Sequence, residues 1–268
     1  EGTIVTQRSD EEKKLLNEVL PNVAAQMRGP LSVLHASLQK MIQTDMPGTA
    51  LLNQSYYQLL RLAGNLSMAE LLDGEHYLRK RENGDIVVFC RELAEQVGLL
   101  AEEQGVTVQF SCAAQSCVIA YDAHLMERLL LNLFSNALKF TGPGGKVTLT
   151  VQVHKSDVLL SVEDTGCGMA PEMMSVLFDR YLHSERMDPR PHGLGLGLPL
   201  CRAIAEAHGG RIFGESKLGK GTKITVSLPN ERGLVQHVRE SFDYAGGFDH
   251  VLLELSDALN TRAYERHS

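Results

Sequence analysis

The sequence lacks a long apolar run, a paired-cysteine motif and an excess of basic residues. No apolar run approaches the roughly 18 residues that a membrane-spanning helix needs, and no signal peptide is recognisable. The five cysteines form no CxxC pair and have no histidine cluster at zinc spacing, which is typical of reduced thiols in a cytosolic protein. The net charge of −7 argues against a nucleic-acid partner, because phosphate binding needs a basic surface. We therefore expect a cytoplasmic protein with no membrane or nucleic-acid contact from this segment.

Helical periodicity dominates the start of the chain. Apolar residues recur at spacings of three and four over residues 10–45, which predicts one long helix that is kinked at Pro30. A second helix with the same spacing follows the break at Met46-Pro47-Gly48. Two antiparallel helices bury too little surface alone, so we expect a homodimer through residues 10–72 in which two hairpins form a four-helix bundle. A hairpin packed on its own domain is the alternative.

Strand and helix patterns alternate after a polar boundary at residues 74–84, which predicts an α+β fold with an α/β sandwich behind the helical hairpin. The predicted strands are residues 86–89, 106–111, 117–120, 147–153, 158–162, 211–214 and 222–228. The predicted helices are residues 91–103, 122–140, 173–178 and 199–207, and residues 182–192 are a polar loop. For residues 251–255 the pattern fits a strand as well as a helix.

These patterns divide the chain into three predicted parts. Residues 1–76 form the helical dimerisation domain, and residues 77–230 form the sandwich. Residues 231–268 are a C-terminal extension whose role the pattern does not indicate. We interpret the charged, helix-prone start at Glu1 as that of a fragment whose further domains lie upstream.

One polar stripe interrupts the apolar helix at residues 122–140. Its members follow spacings of four, four and three, so they share a face: Arg128, Asn132, Asn136 and Lys139. An asparagine carbonyl can complete the octahedron of a magnesium ion held mainly by substrate phosphates, and a lysine one turn further suits phosphate oxygens. A solvated face is the alternative, but it would normally carry more charge.

Two glycine-rich segments follow. Asp164-Thr165-Gly166-Cys167-Gly168-Met169 comes after a predicted strand and fits a tight turn where the backbone approaches a flat ligand, although an ordinary turn fits as well. The run at residues 193–198, with glycine at every second position, leads into a helix, where exposed N–H groups attract phosphate. Its spacing differs from the dinucleotide pattern GxGxxG.

Taken in order, these segments resemble the motifs of the histidine kinase family and of its ATPase relatives, which include gyrase and heat-shock chaperones. The segments are NLFSNALKFT (132–141), DTGCGM (164–169), LFDRY (177–181), GLGLGLPLCRAIAEAHGGRI (193–212) and GKGTKITVSLP (219–229). The resemblance implies the fold of that ATP-binding domain and a site for ATP and Mg²⁺.

The resemblance also assigns roles to individual residues. It implies that Asn136 ligates magnesium, that Lys139 contacts phosphate and that Asp164 accepts a hydrogen bond from the adenine amino group. Asn132 is assigned to the ATP-binding site, at the position where hydrolysing relatives have a glutamate base, so brisk ATP hydrolysis is not expected. The remaining assigned residues shape the adenine pocket or hinge a lid, formed by residues 179–197, that closes over the phosphates: Gly166, Gly168 and Thr222 for the pocket, and Gly193, Gly195 and Gly197 for the lid.

The resemblance extends upstream to PNVAAQMRGPLSVL (21–34), which is similar to the family's phosphoacceptor segment with its usual His-Glu-Leu-Arg-Thr-Pro-Leu. Here Ala25 replaces the histidine, Gln26 the acid and Gly29 the threonine. A methyl group cannot accept phosphate, and a glutamine cannot act as a general base. Because three residues of one segment depart from the family motif, natural degeneration of the acceptor site is favoured over a single engineered substitution.

The expected function is therefore that of a pseudokinase: a dimeric ATP-binding signalling module that works with a response regulator or a competent histidine kinase, and whose sensor or membrane-anchored region lies upstream. The alternatives are an active kinase with an acceptor elsewhere or in trans, a weak ATPase, and a scaffold that no longer binds nucleotide.

Overall fold

The computed structural model describes residues 27, 31, 34–38, 41, 48–67, 81–174, 177–178, 197–233 and 249–265. Within them the helices are α1 (Thr49–Ser67), α2 (Ile86–Glu102), α3 (Ala123–Phe140), α4 (Pro171–Met174), α5 (Gly197–Ala207) and α6 (His250–Glu254), followed by a 3-10 turn at Thr261–Tyr264. The strands are β1 (Glu82–Asp85), β2 (Thr107–Cys112), β3 (Val118–Tyr121), β4 (Lys146–Val153), β5 (Asp157–Asp164), β6 (Arg211–Lys217) and β7 (Gly221–Pro229).

A mixed sheet with the strand order β2-β4-β5-β7-β6 forms the centre of the domain. Strands β2 and β4 run parallel, and the other neighbours are antiparallel. Leu149 pairs with Val162, and Leu160 pairs with Val226, so these buried residues share one apolar face of the sheet. Helices α2, α3 and α5 pack against the sheet. The predicted α+β fold with an α/β sandwich is confirmed.

Helix α2 corrects one prediction. The apolar run at residues 86–89 was expected to be a strand, and this prediction is wrong because the run forms the first turn of α2. The Asp85 carboxylate accepts hydrogen bonds from the backbone N–H groups of Val87 at 3.0 Å and Val88 at 3.3 Å, which caps the helix. Ile86 and Val87 are fully buried, so they lie on the face of α2 that is turned toward the core.

Helix α3 begins after its predicted N-cap. The Asp122 carboxylate accepts from the N–H groups of His124 at 3.0 Å and Leu125 at 3.1 Å. His208, just beyond α5, fixes this end of α3: the Asp122 N–H donates to its Nε2 at 3.0 Å, and its Nδ1 donates to the Ile204 carbonyl at 2.7 Å. The start of α3 is therefore tied to the end of α5.

The N-terminal hairpin lies only partly within the described residues. Helix α1 is the predicted second helix. The described residues between Met27 and Met41 are helical, and the His35 ring lies 5.1 Å from the ring of Tyr56 in α1. Much of the predicted first helix and of the break before α1 falls outside the described residues, so the hairpin and its dimer remain predictions.

The C-terminal residues pack against α1. Residues 251–255, for which the pattern left strand and helix open, fall in and just after helix α6, which Asp249 caps by accepting from the Leu252 N–H at 2.9 Å. Helix α6 contacts both α1 and α3, and the 3-10 turn contacts α1. Among the helices that the structure describes, none combines the length and apolarity that a bilayer crossing requires.

Candidate functional site

The polar stripe of α3 divides into a buried and an accessible half. Arg128 and Asn132 are buried, whereas Asn136 and Lys139, toward the end of the helix, are partly buried. The stripe predicted from the spacing therefore lies on one face, but only its C-terminal half is open to a ligand in this arrangement.

The Asn132 amide is engaged by protein groups. Asn132 is 1% exposed. Its Oδ1 accepts from Nη2 of Arg61 at 3.1 Å, and its Nδ2 donates to the Arg128 carbonyl at 2.9 Å. A Cβ atom at Gly197, the first residue of α5, would lie 2.9 Å from this Oδ1. The prediction that Asn132 takes part in ATP binding stays a prediction, and its observed contacts are with α1, α3 and the start of α5.

Lys139 has an electrostatic environment suited to an anion. Burial lowers the pKa of its ammonium below the ordinary value of 10.5, the nearby Asp257 carboxylate opposes that shift, and Arg61 adds to it. A partly desolvated cation interacts more strongly with phosphate oxygens than a fully hydrated one. The predicted contact of Lys139 with phosphate stays a prediction.

Asp164, at the end of β5, is a buried residue with 7% of its surface exposed. One carboxylate oxygen, Oδ1, accepts from the Gly166 N–H at 2.8 Å. Burial raises the pKa of the carboxyl above its ordinary value, while backbone hydrogen bonds from Gly166 and Thr222 act in the opposite direction. Asp164 is thus a buried carboxylate fixed by the loop that follows it.

The Asp164–Met169 loop packs tightly on its neighbours. A Cβ atom at Gly166 would lie 2.2 Å from the Phe140 carbonyl oxygen, and one at Gly168, whose φ is +64°, would lie 2.1 Å from the Lys217 carbonyl oxygen. Only glycine fits at these two positions without a shift of the backbone. The loop is thereby held against the end of α3 and against the β6–β7 turn.

Ser216 is a further anchor that the sequence patterns did not indicate. Its hydroxyl accepts from the Met169 N–H at 2.8 Å and donates to the Gly221 carbonyl at 3.0 Å. The same oxygen lies 2.9 Å from Oγ1 of Thr222. Ser216 therefore connects the loop to the strand that carries Thr222, and nothing in its local sequence distinguishes it from a surface serine.

The structure brings most of the predicted residues together. The loop that carries Asp164, Gly166 and Gly168 meets α3 at Phe140, directly after Lys139, and Thr222 joins it through Ser216. Five other predicted residues lie outside the described part of the chain: Gly193 and Gly195 of the predicted lid, and Ala25, Gln26 and Gly29 of the acceptor segment.

The donor set fits a purine nucleotide with a magnesium ion. A buried carboxylate is a suitable acceptor for an exocyclic amino group, and the Asn136 amide and the Lys139 ammonium suit the phosphate end. Among the described residues, no group of three His, Cys, Asp or Glu side chains stands together as a metal site. A magnesium ion here would accordingly depend on the ligand's phosphates and on Asn136.

Comparisons with known proteins agree with this geometry. Residues 121–232 match the family described as histidine kinase-, DNA gyrase B- and HSP90-like ATPase. Sensor protein SrrB of Staphylococcus aureus is 29% identical over 240 residues, which cover 85% of this chain and 41% of SrrB. This chain thus spans about two fifths of the length of that relative.

Solved structures show the same fold. Full-length ShkA in complex with AMPPNP is 26% identical, with a TM-score of 0.65 over 80% of this chain and 46% of ShkA. The Acinetobacter baumannii histidine kinase AdeS is 19% identical, with a TM-score of 0.51 over 76% of this chain and 96% of AdeS, and supports the fold alone. Residues 121–232, which carry Asp164 and the polar stripe of α3, are therefore similar in sequence and fold to the ATP-binding domain of sensor histidine kinases.

Proposed function

We propose that this chain is a histidine-kinase-like signalling module that binds ATP with Mg²⁺ but does not phosphorylate itself at the usual position. The observation that carries nucleotide binding is the buried Asp164 carboxylate, which is held in place by Gly166 at the end of β5. The two carboxylate oxygens can accept more hydrogen bonds than the Gly166 and Thr222 backbone groups donate. An adenine amino group would use the remaining acceptor capacity.

Each residue of the site has a defined task in this proposal. Asp164 accepts a hydrogen bond from the base and fixes its orientation, and Thr222 supports the loop beside it. Lys139 attracts the phosphates as a point charge. Asn136 would hold the magnesium ion, which when bound neutralises phosphate charge.

The proposed absence of self-phosphorylation follows from the residues of the acceptor segment. Ala25 offers no nucleophile, Gln26 no carboxylate and Gly29 no hydroxyl. A positioned general base contributes about 10²- to 10⁴-fold in rate, so the segment lacks both the acceptor and the group that would activate it. The module would then act through its conformation, or through pairing with a response regulator or a competent histidine kinase.

A homodimer through residues 10–72 is part of the same proposal. Four leucines of the helical region are exposed in the single chain: Leu34, Leu51, Leu52 and Leu59. Leu52 and Leu59 lie seven residues apart, so they share one face of α1. A second copy of the chain would cover them in a four-helix bundle.

Incubation with γ-labelled ATP tests the absence of self-phosphorylation. We expect no acid-labile label on the unmodified protein and little on Ala25→His. The double variant Ala25→His with Gln26→Glu should take up clearly more label, because it restores acceptor and base together. Equal, strong labelling of the single and double variants would show that Gln26 is no handicap.

The second candidate is an active kinase with an acceptor in another protein. The packing of Gly166 in the Asp164 loop against the carbonyl of Phe140, directly after Lys139, supports this candidate, since phosphoryl transfer uses the same groups as binding. In the same assay, label that appears on an added response regulator or partner kinase, and not on this chain, would establish that activity. Release of labelled phosphate without any labelled protein would indicate a weak ATPase.

A further inference from the structure

A buried cluster of charges joins three distant stretches of the chain. Glu254 of α6 is 1% exposed. Its Oε2 lies 3.2 Å from Nε of Arg61 in α1, and its Oε1 lies 3.2 Å from Nε of Arg128 in α3. One carboxylate therefore balances two buried guanidinium groups, one from the helical region and one from the ATP-binding domain.

Both guanidinium groups make further contacts that fix the same arrangement. Arg61 also pairs with Asp257, with Nη1 at 2.9 Å from Oδ2, and donates to Asn132. Arg128 donates to Oδ1 of Asn65 in α1 at 2.8 Å. Each arginine thus reaches across the boundary between α1 and α3, and Glu254 closes the cluster from the C-terminal side.

Side-chain amides of α1 bind the backbone of the C-terminal residues. Asn53 donates to the Tyr264 carbonyl at 3.2 Å. Gln54 donates to the Leu259 carbonyl at 2.8 Å, and Gln58 donates to the Ser256 carbonyl at 3.1 Å. Three polar side chains of α1 therefore donate hydrogen bonds to backbone carbonyl groups that follow α6. The short helix α6 itself provides no hydrogen-bond partner for these carbonyl groups.

Apolar packing completes the contact. Tyr264 is fully buried, its ring centroid lies 5.4 Å from that of Tyr57 in α1, and its hydroxyl donates to the Leu252 carbonyl at 2.8 Å. Leu252 and Leu255 are also buried. The C-terminal residues thus have an apolar core, and the charge cluster lies beside it.

We propose that residues 249–265 form an intramolecular clamp that holds α1 against α3, so that the helical region and the ATP-binding domain are fixed in one relative position until the clamp opens. The clamp depends on charge balance, because removing one partner of a buried ion pair leaves an uncompensated buried charge. Asp257 brings a further carboxylate toward the Lys139 end of α3, where its charge opposes the lowering of the Lys139 pKa by burial. The clamp goes beyond the proposed function, since it concerns the contact of α1 and the C-terminal residues with α3 rather than nucleotide binding.

Hydrogen exchange followed by mass spectrometry on the full chain tests the clamp without any nucleotide, so its outcome is separate from that of ATP binding. The variant is Glu254→Gln, which keeps shape and removes the charge. The matched control is Glu206→Gln, because Glu206 pairs with Arg202 at 2.9 Å on the surface with both side chains more than half exposed. We expect amides of α1 and of residues 249–265 to exchange at least tenfold faster in Glu254→Gln, and those of β4 and β5 to stay unchanged.

Asp257→Asn is a milder second variant, since it removes one contact of Arg61 and leaves Glu254 in place. We expect a smaller acceleration confined to the same two segments, and this variant decides the question if Glu254→Gln does not fold. Unchanged exchange of α1 in the folded variants would overturn the proposal. So would an acceleration that covers β4 and β5 equally, because the C-terminal residues would then be an ordinary part of the domain core.

Discussion

The His208 contact makes a prediction about stability and pH. His208 is buried, and its two ring nitrogens bond Asp122 at the start of α3 and Ile204 of α5. Substituting alanine removes both hydrogen bonds, each of which contributes about 0.5–1.5 kcal/mol. We expect His208→Ala to lower the free energy of unfolding by about 1–3 kcal/mol at neutral pH.

The sign of the pH dependence follows from the protonation state. Burial, opposed by the Ile204 carbonyl, lowers the pKa of His208 below its ordinary value of 6.5 in the folded protein. At pH values near and below 6.5, His208 therefore binds a proton more readily in the unfolded chain than in the folded protein. The stability due to His208 is therefore complete above the unfolded pKa and decreases as the pH falls through it, by at most about 1.4 kcal/mol per pH unit for one proton.

Urea unfolding followed by circular dichroism at about pH 7.5 and about pH 5.5, on either side of an ordinary histidine pKa, measures both effects. The difference between wild type and His208→Ala should shrink at the lower pH, because the wild type loses the contribution that the variant already lacks. His154→Ala is the control, since this histidine is exposed, and should match wild type at both values. A difference that stays constant with pH, or that is absent at the higher pH, would refute the reasoning.

Two further predictions concern the site and the dimer. Gly168→Ala should destabilise the domain more than Gly144→Ala in thermal unfolding. Both glycines have a positive φ, but only at Gly168 would a Cβ atom clash with the Lys217 carbonyl. Equal destabilisation by the two substitutions would contradict the close packing of the Asp164–Met169 loop. Replacing Leu52 and Leu59 together by glutamate should give a monomer mass in light scattering. The control Leu99→Glu, at a residue of α2 that is 71% exposed, should leave the dimer intact. A monomer mass for the wild-type protein would contradict the predicted homodimer.

Local signals made much of the fold predictable. Asp122 before an apolar run marked the start of α3, and strict alternation over residues 147–153 marked β4. The run at residues 86–89 misled because Ile, Val and Phe favour strands, while the cap at Asp85 decided for a helix. Local propensity is a weak guide where tertiary contacts and a cap favour the other state.

The site was predictable to a different extent in its two halves. Asn136, Lys139 and Asp164 were assigned from short motifs whose residues are close in sequence, and their roles in nucleotide binding stay predictions. Arg61 and Glu254 could not be assigned in this way, because the two residues are 193 positions apart and no local pattern relates them. A charged residue in an amphipathic helix is normally read as a solvated one, and only the folded chain shows that these side chains are buried together.

Calorimetric titration with ATP and Mg²⁺ tests the central claim most directly, because it asks whether the described site binds nucleotide. Wild type should bind, and Asp164→Asn should bind about ten- to a hundredfold more weakly, since a charge-assisted hydrogen bond contributes about 1.5–3 kcal/mol. Asp157→Asn, at the other end of the same strand, should bind as wild type does. The absence of binding by the unmodified protein, or equal affinity of wild type and Asp164→Asn, would contradict the account.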